Sequence, residues 1–225
     1  MEDGTATDMK ILAIETSGAA FSVAAAENGR LVKEIFWHAG LKHSEKLIPA
    51  VNRLLKAVKW RIKDIKKIAV STGPGSFTGI RVGLSCARAI AQDLEIPLVG
   101  IDTLKILEAG AQRGGVRIFP AIDALRSEVF AKNPGTGVPE IAGINDFISG
   151  LKREKTDVCV VGSAALTYFS EFSKRLGNKV IFGSEEMNCP RAGVLSLMAG
   201  KLKGAKYDKA KPLYIRRSWA EEKRR

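Results

Sequence analysis

The sequence predicts an α/β protein of two lobes, each a mixed sheet flanked by helices, with the second lobe reduced. Three observations carry that expectation. Patterns of strand and helix succeed one another as three strands, then helix, strand, helix, strand and helix, and a poorer run of the same kind begins at Val116. A glycine-rich segment, Ser71-Thr72-Gly73-Pro74-Gly75-Ser76-Phe77-Thr78-Gly79, joins the apolar run Ile68-Ala69-Val70 to residues that recur at helical spacing. Each half also ends its first strand on an acid, Glu15 in one and Asp123 in the other.

Taken in order, Lys10 to Glu15 reads as a buried strand, Phe21 to Glu27 as a second and Leu31 to Trp37 as a third. Asn28-Gly29 is the type I′ hairpin signal that joins the last two. A helix starting near Ser44 sets Leu47, Ile48, Val51, Leu54, Leu55 and Val58 on one face, with Pro49 in or near its first turn. Lys67 to Ser71 is the next strand. The helix after the glycine loop carries Leu84, Ala87, Ile90, Ala91 and Leu94, and Ser76 and Thr78 are natural caps for it. A strand at Leu98 to Ile101 and a helix near Leu104 to Ala111 complete the first half. In the second, Arg117 to Ile122 leads into Asp123, Glu128 to Lys132 is another strand, and Asn133 to Gly137 is a turn. Val158 to Gly162 and Val180 to Phe182 look like buried strands, with helices near Ile144 to Leu151, Ala164 to Leu176 and Ala192 to Lys203. The expected divisions are a disordered leader at 1–9, lobes at 10–112 and 113–205, and a basic tail at 206–225.

Composition narrows the function classes. A chain of 225 residues, 45% hydrophobic, can bury a core. No apolar run approaches the roughly 20 residues of a membrane span. The opening Met1-Glu2-Asp3-Gly4-Thr5-Ala6-Thr7-Asp8 is acidic and polar, unlike a signal peptide. Cys86, Cys159 and Cys189 are odd in number and lack CxxC spacing, which points to a reduced, cytoplasmic protein without a zinc cluster. Of the net charge of +12, Arg53 to Lys67 carries +6 and Lys201 to Arg225 carries +7. Such clusters read equally as a polyanion surface or as solvated faces plus a flexible tail. No aromatic-rich RNA-binding motif accompanies them. The glycine loop has no lysine after its last glycine, so it is not a P-loop. A catalytic zinc or iron site commonly takes three protein ligands with at least two histidines. His38 and His43, the only histidines, do not make one, and no serine or cysteine nucleophile sits near either in a recognised catalytic arrangement.

As a whole string, Ser71 to Gly83 resembles the signature of the TsaB (YeaZ) family, which serves threonylcarbamoyl modification of tRNA. Ile11-Leu12-Ala13-Ile14-Glu15-Thr16-Ser17 is similar to the family's opening strand, His43-Ser44-Glu45-Lys46-Leu47-Ile48-Pro49 to the start of its first long helix, and Pro212-Leu213-Tyr214-Ile215-Arg216 to its closing motif. The likeness is strong from Ile11 to Thr103 and thin between Ala131 and Lys206. Glu15 stands where the family usually has Asp, and Leu125 where it usually has Arg. The resemblance implies two ribonuclease-H-like lobes of the actin-like ATPase superfamily, sometimes labelled glycoprotease-like. The related catalytic subunit carries a His-x-x-x-His motif that His43-Ser44-Glu45 lacks.

The resemblance further implies a non-catalytic partner of the TsaD subunit, pairing with TsaD through two helices, meeting the ATPase TsaE, and forming a homodimer when alone. Carried onto this chain, the partner surface comprises His43, Glu45, Leu47, Ile48, Val51, Leu55, Gly75, Phe77, Thr78, Gly79, Arg81, Gly83 and Ala87. Small residues from Gly83 to Ala91 would let another helix approach closely. Glu15, Thr16, Ser17 and Asp123 would form a vestigial nucleotide cleft, with Gly162-Ser163-Ala164-Ala165 a meagre counterpart of the glycines that cradle adenosine. No cofactor is implied for this chain alone, with ATP or ADP and Mg2+ entering in the complex. The alternative is a free-standing actin-like ATPase or small-molecule kinase, in which Glu15 and Asp123 position a metal.

Overall fold

A computed structural model describes residues 8–37, 43–112, 115–213 and 215, organised around two five-stranded sheets. In the first, β1 (Lys10–Glu15) is central. β2 (Phe21–Glu27) and β3 (Arg30–Trp37) run antiparallel on one side, and β4 (Lys67–Ser71) and β5 (Leu98–Ile101) run parallel on the other. In the second, β6 (Arg117–Asp123) is central between antiparallel β7 (Glu128–Lys132) and β8 (Pro139–Gly143) and parallel β9 (Val158–Val161) and β10 (Val180–Phe182). The strand orders are β3-β2-β1-β4-β5 and β10-β9-β6-β7-β8, one topology used twice. The ribonuclease-H-like repeat expected from the strand succession is therefore present in both halves.

The helices are α1 (His43–Val58), α2 (Phe77–Asp93), α3 (Thr103–Gly110), α4 (Ile144–Lys152), α5 (Ser163–Thr167), α6 (Phe169–Leu176) and α7 (Ala192–Gly200). The chain divides into two compact units. One holds the residues up to Thr72 with Ser76–Asp102 and Arg191–Pro212; the other holds Gly73–Gly75, Thr103–Pro190 and the chain from Leu213. The expected lobes at 10–112 and 113–205 thus need correction by one helix each. α3 belongs with the second sheet and α7 with the first.

The reason lies in the strands. From Ile11 to Glu15 and from Phe21 to Ala26 every residue is buried, so both faces of the first sheet must be covered. Leu12, Ile14, Val23, Ala25, Ile68 and Val70 face α1 and α2. The opposite face is lined with smaller residues, Ala13, Ala24, Ala26 and Ala69 among them, and α7 packs there against β1, β2 and β3. The sequence of α7, AGVLSLMAG, is apolar all round and has little bulk, which suits close approach. Arg191 pairs with Glu34 at 3.0 Å, the Ala192 N–H donates to Ser22 Oγ at 2.8 Å, and buried Lys67 donates from Nζ to the Ala199 and Leu202 carbonyls at 3.1 and 2.8 Å. In the second unit α4, α5 and α6 cover one face of the sheet. Leu107 and Ala111, on and just after α3, cover the other against Cys159 and Val161.

Two further differences are local. β8 has no counterpart among the expected elements; it is an edge strand opening on Pro139, whose missing N–H costs nothing on an unpaired edge. The helix expected from Ala164 to Leu176 is broken at Tyr168, which has φ −111° and ψ 28°. Among the described residues, no helix is long and apolar enough to cross a membrane. The leader through Thr7, His38, Tyr214 and the chain from Arg216 lie outside the described residues, as does the side chain of His43.

Candidate functional site

β1 and β4 end together. Their parallel register sets Ile14 beside Val70, so the next residues, Glu15 and Ser71, stand side by side at the C-terminal ends of two interior strands. Beyond them the chain turns through Thr16 and Ser17 on one strand and through the glycine loop on the other. Ser76 caps α2, accepting from the Gly79 N–H at 3.2 Å, and its own N–H donates to the Ser17 carbonyl at 2.7 Å. Thr16 Oγ1 donates to the Gly79 carbonyl at 2.8 Å. A β-carbon at Gly79 would lie 2.0 Å from the Thr16 carbonyl oxygen, and one at Gly83 2.1 Å from Thr16 Oγ1. These two glycines exist to seat α2 directly on the turn after β1.

Glu15 is wholly buried, and its carboxylate folds back onto its own turn. It accepts from the Ser17 N–H at 2.9 Å, from the Ser17 hydroxyl, and from the Ser71 hydroxyl. Burial raises its pKa to about 7, the hydrogen bonds from Ser17 and Ser71 pull the other way, and the charge of Glu34 adds a small push upward. The donors around the carboxylate are thus all supplied by the fold itself. Ser71, which the sequence reading left out, was accessible from it: two parallel strands that stop in register set their terminal residues side by side.

Asp123 ends β6 in the second unit and is held in the same manner. Its N–H donates to Ser163 Oγ at 2.9 Å. Its carboxylate accepts from the Leu125 N–H at 2.9 Å, Tyr168 Oη at 3.2 Å and Thr167 Oγ1 at 3.3 Å. Burial and, next, the negative charge of Asp123 raise the Tyr168 pKa. The Tyr168–Asp123 bond spans the break between α5 and α6, a use no sequence pattern marked. The turn after Asp123 holds Leu125, Arg126 and Ser127 at φ 63°, 54° and 58°, three successive left-handed non-glycine residues. Gly162, at φ 105°, would put a β-carbon 2.3 Å from the Ala121 carbonyl, so that position demands glycine for packing alone. Among the described residues no group of three or more His, Cys, Asp or Glu side chains is placed to hold a metal ion.

The expected partner residues separate into two sets. Leu47, Val51, Leu55, Gly79, Gly83 and Ala87 are buried in their own unit, so they cannot present a surface; Gly83 and Ala87, taken as a helix-docking face, instead face inward. Glu45, Ile48, Phe77, Thr78 and Arg81 are exposed on α1 and α2, with Gly75 partly so. The Arg81 guanidinium lies 3.8 Å from the centre of the Phe77 ring. Ser85 and Ala89, one and two turns further along α2, are also exposed. Of the small residues expected to admit a partner helix, Gly83, Ala87 and Ala91 face inward, and Ser85 and Ala89 are the exposed ones.

Similarity to known proteins runs along the whole chain. A family model described as TsaD, tRNA N6-adenosine threonylcarbamoyltransferase, matches residues 38–146. The tRNA threonylcarbamoyladenosine biosynthesis protein TsaB of Bacillus subtilis is 29% identical over 96% of this chain and 97% of its own length. Its Escherichia coli namesake is 38% identical over 54% of this chain and 53% of its own. The solved structure of YeaZ from Pseudomonas aeruginosa superposes with a TM-score of 0.72 at 24% identity, covering 92% of this chain and 99% of that one.

Proposed function

This chain is a relative of the TsaB (YeaZ) proteins in sequence and in fold, and we propose that it is the non-catalytic partner of a TsaD threonylcarbamoyltransferase. In that role it serves modification of the adenosine beside the tRNA anticodon. The observation that carries the reading is the end-to-end match to Bacillus subtilis TsaB, over 96% of one chain and 97% of the other. The site geometry supports it. A working carboxylate needs lone pairs aimed at a ligand, whereas that of Glu15 is wholly buried and folded back onto donors from Ser17 and Ser71.

On this reading the outer faces of α1 and α2 meet TsaD through Glu45, Ile48, Phe77, Thr78, Arg81, Ser85 and Ala89. Ile48 and Phe77, 50% and 39% exposed, are the large apolar side chains there. The match of residues 38–146 to a TsaD model supports a pairing of like with like, since that stretch contains both helices. Isolated, the chain satisfies this surface by forming a homodimer. Activation requires that it bind the competent state of TsaD more tightly than other states. TsaE, an ATPase, joins the assembly in the cytoplasm, and ATP or ADP with Mg2+ enters with the complex.

The test is co-purification with tagged TsaD from the same organism, followed by tRNA threonylcarbamoylation with and without this chain. The reading expects capture by TsaD and modification that depends on the chain. Modification that proceeds equally without it, or turnover of a substrate by this chain alone, overturns it.

A further inference from the structure

Two basic clusters far apart in sequence converge on one end of the first unit. Arg53 and Lys56 lie on the last two turns of α1, Lys59 follows that helix, Lys63 lies on the 3-10 turn Ile62–Asp64, and Lys66 immediately precedes β4. Lys201, Lys203 and Lys206 follow α7. Buried Lys67 joins the two groups by bonding the Ala199 and Leu202 carbonyls. Ala205 then bridges to Leu98 at the start of β5, the strand beside β4. This is the end where β1, β4 and β5 begin, opposite the end that carries Glu15 and Ser71.

All eight cations are exposed. Among the described residues the ion pairs at this end, Lys10 with Asp8 and Glu27 and Arg61 with Asp64, take in none of the eight, although the charge of Lys66 acts on Asp8. Among the described residues the remaining exposed acids nearby are Asp93, Glu95 and Asp208, three against eight. Lys56 and Lys201 complement the negative ends of α1 and α7, a sufficient structural role. Lys63, Lys66, Lys203 and Lys206 sit at no such helix end.

We propose that this pole binds the phosphodiester backbone of a folded RNA, tRNA being the probe that the proposed function supplies and on which the choice of occupant rests. Cations spread over α1, the 3-10 turn and three connecting segments of a folded surface suit a rigid, repeating polyanion. A membrane-surface device would more naturally gather them on one amphipathic helix. The surface reads charge and spacing, not base sequence.

The test titrates the full chain with fluorescently labelled unmodified tRNA at several salt concentrations. A variant carrying Lys59→Gln, Lys63→Gln, Lys66→Gln and Lys203→Gln should lose about 3 from the slope of log K against log salt and bind about tenfold or more weakly. Single variants Lys63→Gln and Lys203→Gln, each expected to remove about 0.8 of slope, carry the test should the combined variant fold poorly. A control that removes the same charge from the second unit, at Lys152, Arg153, Lys155 and Lys174, should keep the slope. Unchanged RNA affinity in the pole variant, equal loss in the control, or tighter pole-dependent binding to phosphatidylserine vesicles than to tRNA overturns the proposal. The modification assay is scored apart from this. A chain dispensable to TsaD that still binds RNA through the pole defeats the proposed function and leaves this inference standing.

Discussion

Replacing Glu15 with Gln should abolish a pH dependence that the wild-type fold carries in its first unit. The carboxyl is fully buried and titrates near 7 in the folded chain, against 4.5 for an ordinary glutamate. A folded-state pKa raised above the unfolded one means that the native state holds the proton more tightly. The stability it contributes is complete below about 4.5, falls as the pH rises through 7, and is absent above. The gap between 4.5 and about 7 corresponds to about 3 kcal/mol. Glu15→Gln still accepts from Ser17, and its amide NH2 adds a constant offset that does not titrate. The stability of Glu15→Gln minus that of the wild type should therefore rise by about 3 kcal/mol between pH 4.5 and pH 8. The difference cancels every other titrating group. Urea unfolding followed by tryptophan fluorescence reads it, because Trp37 and Trp60 pack against the first core. A difference that stays flat over this range refutes the reasoning, and would mean that Ser17 and Ser71 keep the carboxylate ionised despite its burial.

Gly83→Ala should destabilise the fold by about 1–3 kcal/mol in thermal or urea unfolding, since its β-carbon collides with Thr16 Oγ1. Ala89→Arg, on the exposed side of the same helix, should leave the unfolding midpoint unchanged and abolish capture by TsaD in a pull-down. Lys67→Met keeps the stem but removes the donor to the Leu202 carbonyl and one of those to the Ala199 carbonyl, which keeps the Leu202 N–H, and should cost about 1–3 kcal/mol in urea unfolding. Tyr168→Phe should cost about 1 kcal/mol by removing one hydrogen bond to Asp123.

Much of the architecture was accessible in the sequence because hydrophobic periodicity and turn chemistry are local. The Asn28-Gly29 hairpin, the capped start of α2 and, apart from the exposed Ile48, the inward stripe of α1 each follow from residues within one or two turns of one another. The glycine loop was accessible in place but not in purpose. Gly79 and Gly83 looked like a surface inviting another helix, whereas each is small because Thr16, more than sixty residues earlier, occupies the space a side chain would need. The two acids were found at the strand ends but not their partners. Ser71, Thr167 and Tyr168 become partners only when strands and helix ends meet. β8 was missed because an edge strand needs neither a strict alternation nor a donor at every position.

From the chain alone followed the α/β repeat, the acids that close its first strands, the uneven charge, and a histidine pair too few for a metalloprotease. Three matters waited on the third dimension. The sheet each of α3 and α7 would cover was one, because a sheet buried on both faces recruits whatever apolar helix the connections bring within reach, and reach is a property of the folded path. Which side of α2 points to solvent was another, decided by the Thr16 turn. The last was whether the two lysine-rich stretches lie apart or together: burial of Lys67 beneath α7 draws them to the same pole, and no local pattern encodes a contact between residues 67 and 199.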